Sequence, residues 1–316
     1  MDAVLIDGRR IAGDLRRRVA GELESARGSG AAPGLATILV GRDYAAEAYE
    51  RRLRRHAEAL GCTFGAERLP ADAHLADVLA TVGKLNADPR VTGILVLRPL
   101  PPQVPEVALY RILDPAKDIE AVHPDNAGLM AQGVPRFVPS TPASCFHLLD
   151  RYAQSRGQDP AGYLAGKTVV IVGRSHNVGK PAVWLALDRG ATVISCDEHT
   201  SRANLLAHFT RQADVLIVAA GVPRLITSYH VRDGVVVVDV GINPVTDPAT
   251  GETHMVGDVD TAGVAVKAEA VTPVPGGVGP ITDVWLLHNT VSAARLAQGI
   301  GASFPATEGL QLPAIC

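Results

Sequence analysis

Apolar positions along this chain switch repeatedly between a helical period and short unbroken runs. Over residues 9–27 a stripe of Ile11, Leu15, Val19 and Leu23 recurs among arginines and glutamates, which predicts an amphipathic helix. Residues 35–40 then read as a buried strand. Residues 43–60 return to helical spacing, with Tyr49, Leu53 and Leu60 near one face and Gly61 as a stop. A short strand over 63–69, a helix over 75–87 and a strand over 91–96 follow. This alternation predicts the α/β class with parallel strands. Beyond Val96 the chain enters Leu97-Arg98-Pro99-Leu100-Pro101-Pro102, and from Asp114 to Pro142 it becomes loop-like sequence rich in Pro, Asp, Asn and Gly. Lys117-Asp118-Ile119-Glu120 stands at the head of that stretch, and loops held by strands are where binding residues tend to lie.

The second half repeats the alternation in a tighter form. Thr141-Pro142 has the character of an N-cap and first residue of a helix running to about residue 156. The β-branched run 168–172 ends in Gly173, and Val178-Gly179-Lys180-Pro181 opens a new helical pattern. A strand, a tight turn and a helix in that order present backbone N–H groups and a helix N-terminus, the usual seat for dinucleotide phosphates. The glycine spacing is not G-x-G-x-x-G, so spacing alone leaves an ordinary turn equally open. A helix over 181–189 and strands over 192–196, 214–219 and 234–240 complete a nucleotide-binding type of unit. The segment Thr272-Pro273-Val274-Pro275-Gly276-Gly277-Val278-Gly279-Pro280 is a rigid loop feeding a helix from Thr282, and the residues through Cys316 read as a loosely held tail.

Composition narrows the classes. The 316 residues are 47% hydrophobic and 20% charged with a formal net charge of -3, the profile of a soluble globular protein with no electrostatic footprint for nucleic acid. No apolar run has the length of a membrane span, and the start lacks a basic region before an apolar stretch, so the expected location is the cytoplasm. Cys62, Cys145, Cys196 and Cys316 lack C-x-x-C spacing and read as buried or incidental thiols. His56, His123 and His147 have no partners at metal spacing, so no metal site is expected.

Several motifs in order resemble one family. Val172-Gly173-Arg174-Ser175 with Val178-Gly179-Lys180-Pro181, Asp239-Val240-Gly241-Ile242-Asn243, Gly257-Asp258-Val259 and the 272–280 loop are similar to the methylenetetrahydrofolate dehydrogenase/cyclohydrolase family. The resemblance implies two α/β domains with parallel sheets: a folate domain (1–142 plus 282–316, with a returning C-terminal helix) and a Rossmann-like NAD(P)-binding domain (143–281). It also implies a folate cleft between them and a homodimer. For the cofactor it implies Gly173, Arg174, Ser175, Val178, Gly179, Asp197, Glu198, Ala220, Gly221, Gly241, Ile242 and Thr282. For a tetrahydrofolate substrate it implies Tyr49, Val96, Leu97, Pro99, Leu100, Glu120, Pro275, Gly276 and Gly277.

This chain departs from the family pattern at the one-carbon site. The tyrosine of the helix motif is Tyr49, but the lysine four positions on is Leu53 and the serine three before is Ala46. The glutamine of the strand-end motif is Leu97, followed by Arg98, and the aspartate that pairs with the pterin ring is Glu120. Hydride transfer requires chiefly alignment of donor and acceptor, whereas hydrolysis of the methenyl cation requires proton transfer at a tunable ammonium, which Leu53 cannot supply. Arg52 and Arg54 lie about 100° around the helix and do not deprotonate. Weak or absent cyclohydrolase activity is therefore expected, with Arg98 as a new cation toward the cleft. Asp197-Glu198 after the 192–196 strand favours NAD over NADP, while Arg174-Ser175 would suit the 2′-phosphate of NADP. The altered cleft also leaves open a relative repurposed for another one-carbon or imine reaction, and a folate- or dinucleotide-binding protein without catalysis.

Overall fold

A computed structural model describes residues 3–248 and 250–300. The chain divides into two compact units. Of the described residues, one unit holds residues 3–14 with Thr141–Thr282; the other holds Leu15–Ser140 and residues 283–300. The expected grouping of 1–142 thus differs at its start. The reason is β1 (Val4–Leu5), which pairs in parallel with a strand near residue 270 and fixes the N-terminus in the first unit. α1 (Gly8–Gly28) follows and buries Ile11, Leu15, Val19 and Leu23 as its spacing requires.

The second unit is built on β2 (Gly34–Val40), α2 (Tyr44–Leu60), β3 (Thr63–Leu69), α3 (Leu75–Ala87) and β4 (Gly93–Val96). Its parallel sheet has the order β3-β2-β4, and β2, at the centre, is buried at every position. α2 begins where the Asp43 carboxylate accepts from Ala46 N at 2.8 Å and ends at Gly61 in the left-handed region. Inside the unit, the buried carboxylate of Glu50 accepts from Thr37 Oγ1 at 2.8 Å and from Arg68. Two short helices were not foreseen: α4 (Glu106–Tyr110), and α5 (Pro124–Ala131) inside the stretch read as loop. Their start signals are weak in sequence, since α5 is capped by the imidazole of His123, whose Nδ1 accepts from Asp125 N at 3.0 Å.

The Lys117 ammonium donates to the carbonyls of Leu85, Asn86 and Asp88 at 3.1, 2.6 and 2.8 Å. It thereby closes the end of α3 and pins the segment that carries Asp118 and Glu120. Asp118, wholly buried, accepts from His123 N and Asn126 Nδ2, each at 2.8 Å.

In the first unit, α6 (Ser140–Ser155) starts one residue before the expected cap, so Thr141 lies inside it. The unit continues through β5 (Thr168–Val172), α7 (Gly179–Asp188), β6 (Thr192–Cys196), α8 (Glu198–Arg202), α9 (Leu206–Thr210), β7 (Val215–Val218) and β8 (Val236–Asp239). An antiparallel hairpin, β9 (Asn243–Thr246) with β10 (Thr253–Val256), comes next. α10 (Thr261–Ala265), β11 (Ala270–Val271) and α11 (Val278–Ala297) complete the described elements. The six-stranded sheet is parallel throughout, in the order β1-β11-β8-β7-β5-β6. α11 begins at Val278, not Thr282, because Pro280 is tolerated in a first turn whose N–H groups have no intrahelical partner. The expected tail, including Cys316, lies outside the described residues. The other three cysteines are buried free thiols. Among the described residues no helix is long and apolar enough to cross a membrane, and no group of three or more His, Cys, Asp and Glu side chains could hold a metal ion.

Candidate active site

The turn after β5 is shaped by close backbone approach. Gly173 has φ +117°, and a Cβ there would stand 2.1 Å from the carbonyl oxygen of Ala219. A Cβ on Gly179 would stand 2.0 Å from the Gly173 carbonyl oxygen. Only glycine permits this turn to fold against β7 and lead directly into α7. The Ser175 hydroxyl oxygen accepts from Val178 N and Gly179 N at 3.2 and 3.4 Å, long bonds that leave these donors weakly held at the positive end of a ten-residue helix.

Two buried carboxylates brace the neighbouring loops. Asp258 accepts from Ala220 N at 2.6 Å and Gly221 N at 2.9 Å through one oxygen, and from Asn243 Nδ2 at 2.9 Å through the other. Asp239 accepts from Gly241 N, Asp258 N and Val259 N at 2.9, 3.1 and 3.0 Å. Burial pushes the Asp239 carboxyl up to about 6 against those hydrogen bonds. The N–H groups of Ala220, Gly221 and Gly241 are therefore engaged by the protein itself, and these residues offer a shaped backbone surface. Gly221 has φ +66° with open space where a side chain would be, and Ile242 is largely exposed. Asp239 and Asp258 were absent from the expected site residues. Their signal in sequence was an acid at a strand end followed by Val-Gly, and an acid between Gly257 and Val259.

At the end of β6 the expected acids divide. Asp197 caps α8, accepting from Thr200 N and Thr200 Oγ1 at 3.0 and 3.1 Å, while its other oxygen accepts from Arg174 Nη1 at 2.8 Å. Arg174 also donates to the hydroxyl and carbonyl oxygens of Ser195 at 3.0 and 2.6 Å. The Thr200 cap, aided by Arg174, holds the Asp197 carboxyl below its ordinary value. Glu198 forms an exposed i,i+4 pair with Arg202. Thr282 Oγ1 meets Ser144 Oγ at 3.3 Å, and Pro275, Gly276 and Gly277 belong to this same unit.

In the second unit a recess is lined by Val96, Arg98, Tyr110, Asp118 and Glu120 among others. Glu120 accepts from Ser140 N at 3.1 Å, and burial lifts its carboxyl to about 7 despite that bond and the nearby Arg98. Arg98 lies 3.6 Å from Glu106 and over the Tyr110 ring at 5.9 Å, so the expected new cation is anchored within the recess wall. Leu97 is buried, at 3% exposure, and is not among the residues that line that recess. The Arg98–Pro99 and Val274–Pro275 peptides are cis.

Leu53 is fully buried, at 0% exposure, where a lysine would have to desolvate its ammonium or reach out of the core with it. Arg52, set aside in the sequence for its position around α2, proves to be the organised cation. Its guanidinium lies over the Tyr49 ring at 5.1 Å and pairs with the buried Asp283 through two bonds, 2.7 and 3.2 Å. An i,i+3 spacing makes Tyr49 and Arg52 neighbours on a helix. Burial, then the Asp283 and Glu120 carboxylates, push the Tyr49 phenol far above its ordinary value, so it keeps its proton and can donate a hydrogen bond.

Comparison with known proteins completes the picture. Residues 6–120 match the tetrahydrofolate dehydrogenase/cyclohydrolase catalytic domain, and residues 139–298 match the NAD(P)-binding domain of the same family. The chain belongs to the tetrahydrofolate dehydrogenase/cyclohydrolase family. It is 62% identical over 310 residues to the bifunctional protein FolD 2 of Rubrobacter xylanophilus, covering 98% of this chain and 95% of that relative. The bifunctional FolD crystal structure from Campylobacter jejuni superposes with a TM-score of 0.84 at 36% identity, over 93% of this chain and 99% of that one. The Trypanosoma brucei FolD structure, a complex with NADP and an inhibitor, gives a TM-score of 0.84 at 32% identity over 94% and 98%.

Proposed function

We propose that this protein oxidises 5,10-methylenetetrahydrofolate to the methenyl form by hydride transfer to a nicotinamide dinucleotide, with NAD preferred and the cyclohydrolase step weak or absent. The observation that carries the reading is Leu53, buried in the lysine position of α2 beside a retained Tyr49. Relatives named as bifunctional set the family background; against the family's helix motif, this chain carries an aliphatic side chain in place of a titratable ammonium.

The residues of the first unit fit a dinucleotide. The glycine turn at Gly173 and Gly179 lets the backbone approach, and the N-terminus of α7 suits a pyrophosphate. When bound, the dinucleotide supplies the nicotinamide carbon that accepts the hydride. The chain's own part is alignment. Glu120 has the geometry to accept paired N–H groups of an aminopyrimidine, and Tyr49 donates a hydrogen bond without losing its proton. No residue at the Leu53 position moves a proton to or from water. The same reading makes the protein a cytoplasmic homodimer, as family resemblance implies.

Cofactor choice follows from the pairing at β6. A guanidinium neutralised by Asp197 has little to offer a 2′-phosphate, and the ionised acid repels one. Anaerobic steady-state assays with methylenetetrahydrofolate are expected to give a higher kcat/KM with NAD than with NADP. Asp197→Ser, which frees Arg174, is expected to move that ratio toward NADP by roughly tenfold or more. A wild-type preference for NADP would overturn the cofactor reading, and no reduced nicotinamide with either cofactor would overturn the activity.

A further inference from the structure

Asp283 is the sixth residue of α11 and its carboxylate is buried, at 4% side-chain exposure. Both of its oxygens are taken by Arg52, whose own side chain remains 46% exposed. His56 Nδ1 lies 3.7 Å from Asp283 Oδ2 without forming a hydrogen bond. Burial lowers the His56 pKa; Asp283 opposes that shift, and Arg16, Arg52 and Arg55 add to it. The imidazole is therefore neutral at physiological pH, as is the Tyr49 phenol. Beside the Tyr49 ring stands one permanent cation, Arg52, paired with one buried anion, Asp283, and the neutral His56 imidazole lies 3.7 Å from that anion. Glu120 acts on Tyr49 as a further, partly ionised neighbour. A hydrophobic side chain at 283 would have satisfied the helix equally well, and would have left Arg52 uncompensated.

The charge balance matters for the reaction proposed above, on which this inference rests. The C–H bond of the methylene bridge breaks with its electron pair, which passes to the nicotinamide carbon. The bridging carbon is oxidised, the nicotinamide is reduced, and a nitrogen lone pair completes the C=N bond of a cationic amidinium; no proton moves. A free positive charge beside that carbon opposes the step, whereas a tightly paired guanidinium and carboxylate do not. We propose that Asp283 is a positioning residue for hydride transfer: it fixes Arg52 across the Tyr49 ring and cancels its charge beside the carbon that becomes cationic.

The test compares Asp283→Asn with the double variant Arg52→Met/Asp283→Asn, each assayed for kcat and, by calorimetric titration, for affinity toward tetrahydrofolate. Asp283→Asn is expected to lower kcat by roughly tenfold or more with tetrahydrofolate affinity nearly unchanged, because it strands a cation beside the reacting carbon. The double variant, which removes that cation, is expected to return to within about threefold of wild type. A merely structural pair would behave oppositely, since losing the second partner restores no contact. An Asp283→Asn enzyme with wild-type kcat, or a double variant as slow as the single one, overturns the inference while leaving the dehydrogenase reading intact. A wild-type protein that oxidises no methylenetetrahydrofolate overturns that reading instead, and the role of Asp283 falls with it.

Discussion

Replacing Gly173 by valine is expected to abolish dinucleotide binding. The substitution places a Cβ 2.1 Å from the Ala219 carbonyl oxygen at a φ of +117°, a region that a β-branched residue does not adopt. The neighbouring atom is backbone in the β7 end, so it cannot swing away as a side chain would. Either the turn opens or β5 and β7 separate, and the cost is about 2–4 kcal/mol in the stability of the first unit. Calorimetric titration with NAD is expected to lose its heat signal, while titration with tetrahydrofolate, whose proposed contacts include Glu120 and Tyr49 in the second unit, is expected to keep most of its own. Retained NAD affinity in Gly173→Val would mean that the turn is not the phosphate seat.

Glu120→Ala is expected to weaken tetrahydrofolate binding by about a hundredfold, the loss of two charge-assisted hydrogen bonds, with NAD affinity unchanged. The pH dependence has a definite sign. The bonding form is the carboxylate, and with the folded-state pKa raised to about 7 affinity is expected to climb between about pH 6 and 8 and then level off. Stability runs the other way. The folded carboxyl binds its proton more tightly than the unfolded one at 4.5, so its contribution is complete below 4.5 and is lost as pH rises through 7. Titrations at a series of pH values, beside denaturant melts at the same values, separate the two trends. A folate affinity that is flat from pH 6 to 8 in the wild type would remove Glu120 from the pterin contact.

Much of the architecture was legible because the strands of the first unit are nearly pure β-branched runs, as in 168–172, and those of the second unit alternate with well-spaced helices. The stop at Gly61 could be read directly, whereas Asp43, read as the first residue of the helix, is its cap. β1 and β11, two residues each, carry no period, which is why neither strand was read from the sequence. α5 was hidden by its Pro, Asp, Asn and Gly content, residues that mark turns unless a local cap such as His123 organises them. At the candidate site, Tyr49, Leu53 and Glu120 were identified by family motif. The Arg52–Asp283 pair was not, because its partners lie 231 positions apart and neither stands in a motif. Angular position on an ideal helix placed Arg52 about 100° from Leu53, but its i,i+3 spacing leaves it a neighbour of Tyr49, and the buried Asp283 carboxylate holds the guanidinium over that ring.

The central claim is that the chain transfers hydride without the second, hydrolytic step, and the most direct measurement bypasses the first step altogether. Purified protein is supplied with methenyltetrahydrofolate, and loss of the methenyl absorbance is followed against buffer alone. With Leu53 in the lysine position the decay is expected to match the uncatalysed rate, while the same preparation reduces NAD with methylenetetrahydrofolate. Decay accelerated to the rate of a bifunctional relative assayed alongside would contradict the account.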